Sequence, residues 1–121
     1  MNVGDTITGK YVYNLLGKDS NLDKTVGDYQ HDTGTYGIAL QTGNLVFRTD
    51  PNNVNFLVEL VNRDKDDHYL LRSYNNLPVS SDVLVDHISW QLDDDTGNAL
   101  STASLINAPI PPKLSGLIRL I

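Results

Sequence analysis

The oxygen-bearing side chains of Asp19, Asn21 and Asp23 alternate along the chain, with Asp28 following. Alternating oxygens of this kind are how calcium loops wrap a hard cation. The match to an EF-hand then ends, because Lys24 stands where that loop needs glycine and Gln30 where it needs a bidentate glutamate. The segment has two readings: a calcium site on Asp19, Asn21, Asp23 and Asp28, or an Asx-rich turn beside a strand. A second acidic cluster runs Asp93-Asp94-Asp95-Thr96-Gly97-Asn98. A cation held by Asp93 and Asp95 would relieve the repulsion among adjacent carboxylates; the alternative is a solvated turn closed by the side chains of Asp95 and Asn98. In Arg63-Asp64-Lys65-Asp66-Asp67 the two signs alternate and screen each other, so this run reads as a wet hairpin tip.

Other reactive groups are few. The histidines, His31, His68 and His87, show no helical metal-ligand spacing, and no two lie two apart on one strand. Neither Gly-x-Ser-x-Gly nor a glycine-rich phosphate loop is present. Glu59 is the only glutamate and lies in the most apolar stretch. If it points into a concave face it is the best single acid, since burial would raise its pKa; if it faces water it is an ordinary strand residue. Tyr11, Tyr13, Tyr74 and Trp90, with His87 near Trp90, form the candidate binding set. Exposed aromatics on a sheet stack on sugar rings; the alternative is that they fill the core with their polar tips at its edge. No catalytic constellation emerges, so the chain is expected not to be an enzyme.

These residues need elements to position them. The chain has 14 Asp, 12 Asn and one Glu among 121 residues. Val, Ile, Thr and the aromatics far outnumber Ala, Glu, Lys, Gln and Met. That balance argues for strands joined by Asx-rich turns. Strands are expected over residues 5–13, 26–30, 35–40, 44–49, 54–62, 67–74, 83–92 and 114–121. Gln41 to Asn44 and Arg63 to Asp67 are expected as hairpin turns, and residues 99–106 as a helical turn or irregular chain. The spacing predicts an all-β, antiparallel sandwich, jelly-roll-like, of seven to nine short strands in a single domain over residues 1–121.

The totals exclude several classes. A net charge of −6 with no basic run disfavours nucleic acid and anionic membranes. No 18-residue apolar stretch exists for a membrane span. Zero cysteine removes disulfides, thiol catalysis and zinc–thiolate sites.

Four phrases occur together: Gly9-Lys10-Tyr11-Val12-Tyr13, Asp19-Ser20-Asn21 with Val26-Gly27-Asp28-Tyr29, Ser73 to Pro78, and Val85-Asp86-His87-Ile88-Ser89-Trp90-Gln91-Leu92-Asp93-Asp94. In this order they resemble a group of exported cyanobacterial and proteobacterial proteins, many of which end in a PEP-CTERM sorting tail. The resemblance spans most of residues 5–100 and implies a secreted, β-rich domain of the envelope or its exopolysaccharide matrix. It implies no activity. The expected leader is not seen in Met1 to Asp5, nor the Pro-Glu-Pro signature in Pro109 to Ile121.

The expected function is thus a non-catalytic β-sandwich module, extracellular or envelope-associated, that binds polysaccharide or a protein partner, with calcium as a candidate stabilising ion. The alternatives are a small sugar-active or metal-dependent enzyme using Glu59 or the histidines, and a self-assembling subunit. The last rests on Leu114, Leu117, Ile118, Leu120 and Ile121, an apolar end that must be buried on its own fold or in a homo-oligomer.

Overall fold

The computed structural model describes residues 6–63, 65–98, 100 and 102–105, together with the backbone of a strand at 118–120. Eight strands and no helix occur among them: β1 (Thr8–Val12), β2 (Val26–His31), β3 (Gly37–Thr42), β4 (Leu45–Arg48), β5 (Phe56–Asn62), β6 (Asp67–Ser73), β7 (Ile88–Asp94) and β8 (Ile118–Leu120). They form two antiparallel sheets, ordered β1-β3-β4 and β2-β5-β6-β7-β8, packed face to face as a sandwich. Among the described residues no helix is long and apolar enough to cross a membrane.

Alternation explains why these segments become strands and which faces they bury. On β5, Phe56, Val58 and Leu60 point inward and are fully buried, while Leu57 and Glu59 on the other face are half-buried. Tyr69 and Leu71 on β6 and Ile88 on β7 extend the same core layer. From the smaller sheet Ile38 and Leu40 close the core, with Tyr11, Tyr13 and Phe47 at its margin. The sheets are tied by polar contacts at the sandwich edges. Tyr13 Oη lies 2.9 Å from Tyr69 Oη, and Thr49 Oγ1 lies 2.8 Å from the buried Ser73 Oγ.

The β3–β4 hairpin turns at Gly43-Asn44, where Gly43 has φ +57°. A positive φ at the first central residue suits the twist of a two-residue hairpin, and glycine adopts it without steric cost. Gly27 is needed for another reason: a Cβ there would stand 2.2 Å from Ala103 O. That carbonyl accepts from Tyr29 Oη at 2.9 Å, and Tyr29 Oη accepts from Leu105 N at 3.0 Å. Leu100 N donates to Asp67 Oδ2 at 2.7 Å. Tyr29 and Asp67 thereby pin the segment that carries the buried Leu100, Ala103 and Leu105.

The sandwich and its strand order along the chain match expectation, with three corrections. The strand expected over 83–92 is β7, Ile88–Asp94; Val83 makes only an isolated bridge to Ser80, and Leu84 is exposed. The turn-forming residues Ser80 to Asp82 hold the chain off the sheet until Ile88 can pair with Ser73. Asp93 and Asp94 are buried strand residues, not members of an open loop, and Asp94, not Asp95, closes the turn by accepting from Thr96 N and Asn98 N. At the expected wet tip Asp67 is fully buried, and Asp64 lies outside the described residues. Asp66 there is bonded to His68. β8 pairs with β7, so that part of the C-terminal segment is joined to its own fold, whereas Leu114, Leu117 and Ile121 lie outside the described residues.

Phe56→Ala should cost about 3–5 kcal/mol, because it removes a wholly buried ring from the centre of the core. Chemical denaturation of the two proteins measures the difference, and an unchanged midpoint would contradict the packing described.

Candidate functional site

The outward face of the five-stranded sheet collects the polar side chains that the core rejects. Asp28 on β2 pairs with Glu59 on β5, and Glu59 pairs with Leu70 on β6. Leu70 pairs with Gln91 on β7. The neighbouring row runs Val61, His68, Asp93. Because directly opposed residues share a face, these two rows form one surface. A hollow of about 370 Å³ opens on it, lined by Val26, Glu59, Val61, Arg63, His68, Leu70 and Gln91. Its floor is aliphatic; its rim carries a carboxyl, an imidazole, an amide and a guanidinium.

Glu59 is the acid whose environment the sequence left open. Burial, followed by the hydrogen bond and negative charge of Asp28, pushes its pKa up to about 7, while Arg72 and His68 pull it down. Asp28 Oδ1 is buried and receives no donor among the described residues. A proton on the adjacent Glu59 supplies one. The other oxygen, Asp28 Oδ2, accepts from Asn21 Nδ2 at 2.9 Å.

His68 is held at both ring nitrogens. Nδ1 lies 2.5 Å from Asp93 Oδ1 and Nε2 lies 2.9 Å from Asp66 Oδ2. Burial lowers its pKa, but the hydrogen bonds and charges of Asp93 and Asp66 outweigh burial and the net shift is upward. Gln91 Nε2 donates to the same Asp93 oxygen at 2.7 Å, which fixes the amide at the rim. Arg72 Nε donates to the buried Ser89 Oγ at 2.6 Å, one row away.

Of the residues expected from sequence, Glu59, Asp28, His68 and Asp93 belong to this surface, and the others fall elsewhere. The oxygens of Asp19, Asn21 and Asp23 accept the backbone N–H groups of Asn21, Asp23 and Thr25, a chain of Asx turns. Asp19 Oδ1 also accepts from Asp28 N, and Ser20 N donates to Asp28 O, so the loop covers the outer edge of β2. Asp93 and Asp95 are separated, Asp93 being buried against His68 and Asp95 exposed. Among the described residues no three His, Asp or Glu side chains are placed to hold a metal ion. Tyr11 and Tyr13 do come together, stacked with ring centroids 5.7 Å apart, but both pack against the core, as does Trp90. Tyr74 and His87 are exposed and separate from that stack. His31 is buried and satisfied, accepting from Asn14 N at Nε2 and bonding Tyr29 O through Nδ1. It points inward, while His68 points outward from the same sheet, so the histidines do not converge.

Asp66, Gln91 and Arg63 were not found by sequence reasoning, and His68 was singled out only as one of three histidines. The signal was the period-2 run His68, Leu70, Arg72, which places the three on one face. It names no partner without the β6–β7 register.

The stability of this surface depends on pH. Raised folded-state pKa values at Glu59 and His68 mean that their contributions are full in acid and are lost as pH rises through the folded pKa. For Glu59 that window runs from 4.5 to about 7. Glu59→Gln keeps a donor for Asp28 Oδ1 at every pH. After discounting for solvent screening it should be about 1 kcal/mol more stable than the wild type at pH 8 and no more stable at pH 4.5. Thermal melts across that range decide; a gain that does not depend on pH would contradict the raised Glu59 pKa. Comparison with protein-family models, with curated proteins and with solved structures returned no match.

Proposed function

We propose that this protein is a non-catalytic β-sandwich module that binds a saccharide in the hollow on the outer face of its five-stranded sheet, and that it works outside the cell or in the envelope. One observation carries the binding reading. An aliphatic floor of Val26, Val61 and Leu70 is ringed by Glu59, His68, Gln91 and Arg63. A sugar presents an apolar C–H face and a rim of hydroxyls, so it needs such a floor with donors and acceptors fixed around it. The volume of about 370 Å³ falls in the range of small-ligand sites. The carboxylates that hold His68 and Gln91 orient both before a ligand arrives, which lowers the entropic cost of binding. The cellular placement rests on the resemblance to exported proteins.

The spacing of the acids supports binding without bond cleavage. Glycoside hydrolysis separates its two carboxyls by about 5–9.5 Å, leaving room for a water or the reacting carbon. Glu59 and Asp28 stand within hydrogen-bonding reach of each other.

A glycan array followed by calorimetry on its best neutral ligand tests the reading. Gln91→Ala and His68→Ala should each weaken binding about tenfold or more, the cost of one or two hydrogen bonds. Tyr74→Ala, at an exposed position away from the hollow, should leave affinity unchanged. Silence across the array, or binding indifferent to Gln91 and His68, would remove the proposal.

A further inference from the structure

The opposite face of the sandwich carries a second site of different chemistry. β3 is the central strand of the smaller sheet, and its outward residues include Gly37 and Ala39. The flanking strands present longer side chains at the same level, Lys10 opposite Ala39 on one side and Arg48 opposite Ala39 on the other. At Gly37 and Ala39 the central strand is lower than its neighbours, which makes a groove. It measures about 320 Å³ where Gly37, Ala39, Lys10, Arg48 and Tyr36 line it. It continues past Lys10 and Ala39 into a second hollow of about 260 Å³ toward Gln41 and Val46. The two hollows share Lys10 and Ala39, so the groove is elongated.

Its charge opposes that of the chain. The protein has net charge −6, yet β1, β3 and β4 contain no acid. Lys10 and Arg48 are exposed and make no ion pair among the described residues. Two antiparallel strand spacings put their backbones about 10 Å apart. Both side chains can therefore lean over Ala39 to one oxyanion, with the guanidinium fork presenting paired donors.

We propose that this groove binds an acidic oligosaccharide, with a sugar carboxylate held between Lys10 and Arg48. The apolar floor suits sugar-ring faces, and the length suits a linear oligomer rather than a single small ion. The site is independent of the hollow on the other sheet.

Calorimetry with tri-galacturonate, a neutral trisaccharide and inorganic phosphate tests this. Tri-galacturonate should bind. Its affinity should fall at least tenfold in the double variant Lys10→Gln/Arg48→Gln and also in Ala39→Leu, which fills the groove floor while keeping both charges. It should fall with added salt and be unchanged by Gln91→Ala. Circular dichroism and melts confirm that each variant is folded. If the double variant does not fold, Ala39→Leu and the salt series decide alone. Failure of tri-galacturonate to bind, equal binding of the neutral trisaccharide, affinity indifferent to the groove variants, or competition by phosphate alone at the same site with no gain from the sugar would overturn the proposal.

Discussion

The register of β5 against β6 is the constraint on which the rest depends. Phe56 opposes Ser73 and Asn62 opposes Asp67, so Val58 and Leu60 share the buried face with Leu71 and Tyr69. The same pairing leaves Glu59 beside Leu70 and Val61 beside His68 on the other face. A slip of β5 by one residue would move each of its side chains to the opposite face, burying Glu59 and exposing Phe56. The energetic penalty for that exchange is what fixes the outer surface. The hydrophobic core thus specifies the position of the polar hollow without touching it.

Polar groups at the sheet surface hold one another in a definite arrangement. Asp93 serves both His68 and Gln91, and Asp66 takes the other imidazole nitrogen. Glu59 has the remaining carboxyl partner, Asp28, whose other oxygen is tied to the 14–25 loop through Asn21. The Asx turns of that loop therefore position Asp28 as well as covering the edge of β2. Chain punctuation and site electrostatics are linked through a single side chain.

The two outer faces differ because their central strands differ. β5 and β6 place Glu59, His68 and Leu70 outward, giving a hollow with a mixed polar rim. β3 places Gly37 and Ala39 outward, giving a groove walled by two cations. Each shape follows from residue size at alternate positions, and each charge from which ionisable side chains share that parity.

The sequence determined that the chain is all-β and where most turns lie. Period-2 alternation and Asx-rich punctuation are local properties, readable residue by residue. It placed Glu59 on an apolar strand and stated the condition under which it would hold a proton. Only the tertiary structure decided that the condition is met, because Asp28 comes from another strand and its approach depends on register. It also decided that the Asp93–Asp95 cluster divides, since a strand carries Asp93 outward to His68 and Asp94 to the turn. Pairing across the 74–87 connection sets that outcome, and no local signal encodes which residue of β7 will stand opposite His68. The physical reason is that strand periodicity is fixed by backbone geometry, whereas strand partnership is fixed by the burial of a core assembled from distant segments.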